Sequence, residues 1–355
     1  MKSDISKQRS DIVFIGSGIS TSFSLLSFLD QLKDSDISRE IKIIILDKWD
    51  EFNKGLPYGD RSGASVLLIT SLRNFIPEPE LTPFIEWLNL NKDELLAEFI
   101  ESGGQLSKNW IENHRSEIDQ NQWEELFIPR FFFGHYIDEK VNRKIDECRK
   151  VCPLSVEFRQ GKAIDLHKND GYWTVQLKEG GVLESEKVVL SVGSLPMRYL
   201  WKESRVVRDE ELLFINDIYT KSLQRSLSDI EKFLDKKEEE KVNVAIIGAN
   251  ASALEILYKL NDVDSIRSRV EKFTFVSTYG VLPDSEIAPD KQKLFQPANL
   301  QALQQKAKLR ASDISDAAFK DLKIADKLEL GAFSTVNIIS SAFGQLLGNL
   351  SDQEL

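Results

Sequence analysis

An α/β chain built around parallel strands is predicted by three observations: two apolar runs that each end in a small-residue turn, the amphipathic stretch after each turn, and several short strand-like segments between them. The first run and turn, Asp11–Thr21, read DIVFIGSGIST. The second, Lys241–Ala253, read KVNVAIIGANASA. Each has the form of a strand that passes into a helix and presents backbone N–H groups to a diphosphate. Two such turns in one chain predict two Rossmann-like dinucleotide-binding domains.

In the first turn Gly16 permits the tight bend, Gly18 allows close approach of the backbone to a phosphate, and Thr21 stands where a third small residue would let the helix pack closely. The next apolar run, Ile41–Asp47 (IKIIILD), reads as a buried parallel strand ending in an acid placed to hold ribose hydroxyls. The separation from Thr21 to Asp47 exceeds the usual spacing of about 20 residues. The polar stretch Gln31–Glu40 absorbs the excess. In the second turn Asn250 replaces the central glycine, and the following strand, Glu271–Ser277, leads into Thr278-Tyr279-Gly280. That strand end offers hydroxyls where an arginine would grip a 2′-phosphate or an acid a 2′-hydroxyl, so the residues favour neither NADH nor NADPH.

The 355 residues suffice for two domains with sizeable cores, and 41% hydrophobic with 29% charged is an ordinary globular composition. A formal charge of −11 argues against nucleic acid or an anionic membrane as partner. Met1–Ser10 has no apolar signal core, and no apolar run reaches the roughly 18 residues of a membrane span, so a cytoplasmic location is expected. Cys148 and Cys152 lack the spacing of a redox pair and are expected to pack on a helix. His114, His135 and His167 are scattered, and no metal is expected.

Between the turns, Lys54–Gly59 (KGLPYG) imposes a turn beside the carboxyl end of the Asp47 strand. Residues from about 80 to 145 have helical period and read as an insertion covering the pocket, with a helix-start pattern at Thr82-Pro83. Within it, Phe127–Ile137 (FIPRFFFGHYI) is either an aromatic core cluster with Arg130 at its edge or a segment that touches a ligand. Segments 156–166, 172–177 and 187–193 read as strands of a meander that returns into the parallel sheet. Residues 235–241 read as a solvated helix end ahead of the second domain.

The order Gly16-Ser17-Gly18, Asp47, Gly55–Gly59, Pro129-Arg130 with Gly134 and Tyr136, Val188–Gly193 and Ile247-Gly248 resembles the FAD/NAD(P)-binding flavoproteins related to flavin-containing monooxygenases and to ornithine and lysine N-hydroxylases. The resemblance implies a glutathione-reductase-like arrangement. An FAD-binding domain would occupy 1–200, an NAD(P)-binding-like domain 201–335, and a return strand of the first domain 336–355. In this resemblance Val336–Gly344 is the return strand, and only residues 345 to 355 follow it, without the Gly-Asp segment that lies along the FAD ribityl chain in the family. An FAD site open on one side, one completed by a partner protein, and one that is lost are the alternatives this leaves.

The implied activity is reduction of FAD by NADPH or NADH, followed by oxygenation of a small-molecule substrate such as an amine. The implied roles put Gly16, Gly18, Ser20 and Thr21 at the diphosphate, Asp47 on the adenosine ribose, Tyr58 and Arg130 near the flavin, and Gly248 and Ser252 at the phosphates of the nicotinamide cofactor. No catalytic base is implied. A binding or accessory protein on a decayed flavoprotein fold, and a subunit whose FAD site closes with a partner, are the other functional readings.

Overall fold

The computed structural model describes residues 9–194, 206–208, 211–219, 222–237, 241–282, 293–306, 308–328 and 330, with 339, 342, 344, 346 and 350. They fall into two compact units, one within Met1–Ile246 and Ser252–Thr274, the other within Ile247–Ala251 and Phe275–Leu355. The expected domain boundary at 200 lies outside the described residues.

The first unit opens with β1 (Arg9–Ile15), α1 (Ile19–Lys33) and β2 (Ile41–Asp47). Val13, Phe14, Ile43, Ile44 and Ile45 are all buried, because a parallel strand with cover on both faces has no solvent side. β1 lies parallel to β2 with Ile12 opposite Ile43. Leu25, Leu29 and Leu32 recur at helical spacing and bury one face of α1.

Six helices follow or interrupt the sheet: α2 (Gly55–Tyr58), α3 (Leu72–Phe75), α4 (Leu81–Ser102), α5 (Gln105–Asn113), α6 (Arg115–Asp119) and α7 (Arg130–Arg149). Pro83 sits in the first turn of α4, where its missing N–H costs nothing. Phe84, Leu88, Leu95 and Phe99 of α4 meet Phe132, Phe133, Ile137 and Val141 of α7 in one core with α1 and β2. Phe131, Phe132, Phe133 and Tyr136 of the 127–137 segment thus lie in the core. Phe133 makes edge contacts with Tyr58, Phe75 and Phe84 at 4.9–5.3 Å between ring centres. Cys148 is buried at the end of α7, its thiol pushed up to about 11 by burial and by the neighbouring Cys152, whose own thiol lies 3.7 Å from the Leu32 carbonyl.

The strands β3 (Leu154–Gln160), β4 (Ala163–Asn169), β5 (Tyr172–Leu177) and β6 (Val182–Leu190) complete a six-stranded sheet of order β3-β2-β1-β6-β5-β4. The single strand expected over 156–166 is two strands at opposite edges. It breaks at Gly161, whose N–H donates to the Asp47 carbonyl (2.7 Å), after which the chain leaves β2 for β5. The expected meander is present: β6 pairs antiparallel with β5 through Val182–Ser185 and then parallel with β1 as far as Leu190.

Next come an antiparallel pair, β7 (Val206–Arg208) and β8 (Leu213–Ile215), and α8 (Leu223–Asp235), capped by Ser222 Oγ accepting from Arg225 N (3.2 Å). Then β9 (Val242–Ile247), α9 (Ala251–Asp262), α10 (Asp264–Arg267) and β10 (Val270–Val276) form the βαβ unit expected around the second turn. Its core joins Leu260 and Ile266 to Leu223, Leu227 and Leu234 of α8 and to Val66.

In the second unit, helices Ala298–Leu303 and Ala311–Lys327 pack through Leu300, Leu303, Ile314, Ala317 and Ala325, joined by Ile339, Ala342 and Leu346. Ile339, Ala342, Gly344 and Leu346 have helical backbone, so these positions correct the expected return strand. Buried apolar residues at 339, 342 and 346 recur every three to four positions, which is a helical period, not the alternation of a strand. Residues 336–338, 340, 341, 343, 345, 347–349 and 351–355 of that expectation lie outside the described residues.

Candidate dinucleotide site

The first turn is held from four sides. Gly16 has φ +101° and donates its N–H to the Leu46 carbonyl (2.8 Å). A Cβ there would lie 2.1 Å from the Ser191 carbonyl oxygen, where the chain leaves β6, so only glycine fits on grounds of both dihedral and space. Thr21 is fully buried and donates its hydroxyl back to the Gly16 carbonyl (2.6 Å). Its side chain therefore serves the turn. Gly18 caps α1 without a side-chain hydrogen bond, and the helical ladder begins with Ser22 N–H to Gly18 O (3.1 Å). The N–H groups of Ile19, Ser20 and Thr21 precede that ladder, as a diphosphate site at a helix start requires.

Asp47 ends β2 beside this turn, as its position in the sequence predicts. Its Oδ2 accepts from Ser17 N (2.8 Å), with Ser17 Oγ 3.2 Å away, and Oδ1 accepts from Trp49 N (3.0 Å). A carboxylate offers about four acceptor positions, so one remains for a ligand hydroxyl. Asp47 thus shapes the turn, a role that the sequence pattern does not reveal. Ser17, fully buried, and Glu51 were not singled out from the sequence. The Glu51 carboxylate accepts from the Asp60 N–H, and burial pushes its pKa up against that bond. A Cβ on Gly59 would lie 2.0 Å from Glu51 Oε1, so any other residue there displaces the Glu51 carboxylate.

The first glycine of that segment has a different reason. Gly55 has φ +66°, and a Cβ on it would stand 3.0 Å from Gly18 Cα. The short helix α2 therefore starts against the first turn and ends at Tyr58, whose carbonyl fills the place a Cβ would take on Gly134 (2.0 Å) in α7. Burial pushes the Tyr58 phenol up, and the nearby Arg130 guanidinium opposes the shift. The sequence-predicted residues Gly16, Gly18, Asp47, Tyr58 and Arg130 are thus linked through β2, α2 and α7, with Ser20 exposed on the first turn of α1.

Arg130 opens α7, its N–H donating to the Val66 carbonyl (2.8 Å). Its Nη2 lies 2.8 Å from Glu255 Oε1 of α9, and Tyr219 donates its hydroxyl to the same oxygen. Arg130 Nε, like Trp49 Nε1 and Asn53 Oδ1, is a buried side-chain atom with no partner among the described residues. Buried polar atoms left open in this way suit a polar ligand that brings both acceptors and donors. Together with the uncapped helix start and the spare acceptor on Asp47, they fit a dinucleotide such as FAD.

Glu255, Lys259 and Asp262 form one stripe along α9 at i, i+4 and i+7. Asp262, with no exposed surface, accepts from the N–H groups of Gly104 (3.0 Å), Leu106 (2.9 Å) and Ser107 (3.3 Å) and from Ser107 Oγ (3.0 Å), capping α5 from another element. Lys259 Nζ lies 3.4 Å from Asp262 Oδ2 and hydrogen-bonds Ser65 Oγ. Burial pushes the Asp262 carboxyl up, but the Gly104 N–H, the Lys259 ammonium and Ser107 outweigh it and hold the group below its ordinary value. These three residues are not singled out by the sequence.

At the second turn Gly248 has φ +120° and donates to the Val276 carbonyl (2.8 Å), but a Cβ on it would meet nothing within 4 Å. Asn250 and Ser252 are exposed. The second turn thus shares the dihedral of the first without its tight packing. Among the described residues no cluster of His, Cys, Asp and Glu could hold a metal, and no helix is long and apolar enough to cross a membrane.

Residues 13–195 match the FAD-NAD(P)-binding family. Among curated proteins, the chain is similar to the uncharacterized proteins Rv3403c of Mycobacterium tuberculosis and Mb3437c of Mycobacterium bovis, each 32% identical over 345 residues. That alignment covers 95% of this chain and 63% of each relative, so the chain spans less than two thirds of their length. Among solved structures it is similar to the ornithine hydroxylase PvdA of Pseudomonas aeruginosa, with 14% identity, 97% of this chain and 72% of that one covered, and a TM-score of 0.42. A lysine monooxygenase, NbtG of Nocardia farcinica, matches at 14% identity, 90% and 69% coverage and a TM-score of 0.40. With its glycine turn, its strand-end acid and a match from β1 to the end of β6, the chain belongs to the FAD-NAD(P)-binding family.

Proposed function

We propose that this chain is an FAD-dependent oxidoreductase of monooxygenase type that takes reducing equivalents from NADPH or NADH and oxygenates a small molecule. The observation that carries the reading is the first turn, where an uncapped helix start and the strand-end Asp47 sit together within the family match. Bound FAD would accept hydride from the nicotinamide cofactor and activate oxygen. The N–H groups at the start of α1, with Ser20, hold the diphosphate. The spare acceptor of Asp47 takes a ribose hydroxyl, and Tyr58 and Arg130 orient the distal part of the ligand. Gly248 and Ser252 at the start of α9 receive the phosphates of the nicotinamide cofactor.

The test is a visible absorption spectrum of the purified chain after incubation with FAD, then titration with NADH and NADPH under air. A retained flavin spectrum that bleaches on addition of either cofactor and recovers in air supports the reading. Protein that stays colourless with FAD overturns it. A second reading, an accessory protein on the same fold or a subunit completed by a partner chain, is favoured by the second turn. There Asn250 replaces a glycine and Ile247 and Val276 at the strand ends are exposed. Rapid NADPH or NADH oxidation by the isolated chain excludes it.

A further inference from the structure

We propose that Glu255 and Tyr219 are positioning residues for Arg130: they hold its guanidinium so that Nε is presented to an oxygen of the ligand bound at the first turn, and they tie that ligand to the helix that follows the second turn. The inference rests on the reading of the first turn as a dinucleotide site.

Arg130 is mostly buried, and so is its partner Glu255. A guanidinium buried with a carboxylate ordinarily forms two parallel bonds, Nε and Nη2 to the two oxygens. Here Nη2 alone is engaged by Oε1, while Nε, on the same edge of the fork, has no partner among the described residues. The Tyr219 hydroxyl also bonds Oε1, and the Tyr219 N–H is fixed by Asp217 Oδ1 (2.9 Å). Glu255 is therefore held at one oxygen from two directions and neutralises Arg130 without using its second fork position. A buried N–H that carries positive charge and lacks an acceptor is costly unless something else completes it.

The position identifies what completes it. α2 begins against Gly18, ends at Tyr58 beside Arg130, and is a single helical turn, about 5 Å of rise. A dinucleotide whose diphosphate lies at the start of α1 extends farther than that, so the portion beyond the diphosphate brings carbonyl or hydroxyl oxygens to this region. Glu255 in turn is anchored on α9 by the same stripe that carries Lys259 and Asp262, whose bonds reach Ser65 and the start of α5. α9 is therefore fixed at three successive points, by Arg130 of α7, by Ser65 and by the start of α5, and the point nearest its start is the one that sets Arg130.

The decisive measurement compares dissociation constants for FAD and for ADP, which shares only the adenosine diphosphate half, in the wild type and in R130K, R130M, E255Q, E255L and Y219F. Circular dichroism establishes folding. The quantity read is the ratio of FAD to ADP affinity. R130M and R130K are expected to lower it about tenfold or more, because lysine keeps the charge but lacks Nε. E255L should lower it several-fold, and E255Q should restore much of the loss, since its amide oxygen accepts from Nη2. A ratio that stays within twofold in R130M and R130K overturns the proposal, and so does one equally low in E255Q and E255L. Should E255L not fold, R130K and E255Q decide. A wild type that binds neither ligand removes the first-turn reading itself. A wild type that binds both, with a ratio indifferent to Arg130, removes this inference alone.

Discussion

At the residue scale, Gly16 and Asp47 shape the first turn for reasons that differ in how far the sequence reveals them. Gly16 was legible because a glycine after an apolar strand and before a helix implies a positive φ. Its second constraint, the Ser191 carbonyl 2.1 Å from a built Cβ, belongs to a strand far along the chain. Gly16→Ala is therefore expected to destabilise the protein by about 2–4 kcal/mol, combining backbone strain with overpacking against backbone. Thermal or urea unfolding measures it, and a change under 1 kcal/mol would contradict the packing described. Asp47→Ala leaves the Ser17 and Trp49 N–H groups without their acceptor. We expect a loss of about 1–3 kcal/mol in stability, together with weaker FAD binding in a calorimetric titration. Thr21 shows the opposite case: the pattern asks for a small residue there to let the helix pack closely, and its hydroxyl closes the turn on Gly16.

At the element scale, α9 is the least expected result. Its charged residues at 255, 259 and 262 share one face, and charge on a helix face ordinarily means water. Here that face is buried, because each charge meets a fixed partner on another element: Arg130, Ser65 and the open N–H groups at the start of α5. Asp262→Ala should cost about 3 kcal/mol, since it leaves Lys259 buried without its counter-charge and uncaps α5. Hydrogen exchange should then show faster opening of residues 104–108 than of β1 and β2, and equal protection in both segments would contradict the cap. The acid dependence has a definite sign. The native carboxyl of Asp262 sits below its ordinary value. Its contribution is complete above the unfolded value of about 3.9 and is lost as pH falls through the lower native value. A denaturation series from pH 6 to pH 2 should show the wild type losing more stability than Asp262→Asn in the acid range.

At the scale of the whole molecule, the parallel sheet gathers the ends of β1, β2 and β6 at one edge, and the first turn lies there, where open α/β sheets bind ligands. The second βαβ unit supplies a start of α9 with a positive-φ Gly248, while β10 leads to Ser277, whose Oγ accepts from the Gly280 N–H (3.1 Å). With no arginine in Ser277–Gly280 to grip a 2′-phosphate, the preference between NADPH and NADH is expected to stay under about tenfold. Steady-state kinetics with both cofactors measure it, and a preference above a hundredfold would place the discriminating cation on another segment.

The sequence by itself determined the alternation of strands and helices, the two turns, the acid at the end of β2, the helical insertion and the meander. These follow from local rules of hydrophobic period, glycine dihedrals and strand ends, which a linear reading captures. Tertiary structure decided that 156–166 splits between two sheet edges, that positions 339, 342, 344 and 346 are helical, and that Arg130 is paired with Glu255. It also turned a charged stripe on α9 into a buried anchor. Those outcomes depend on which distant groups meet, and the energy of a buried charge is fixed by its partner rather than by its neighbours in the chain.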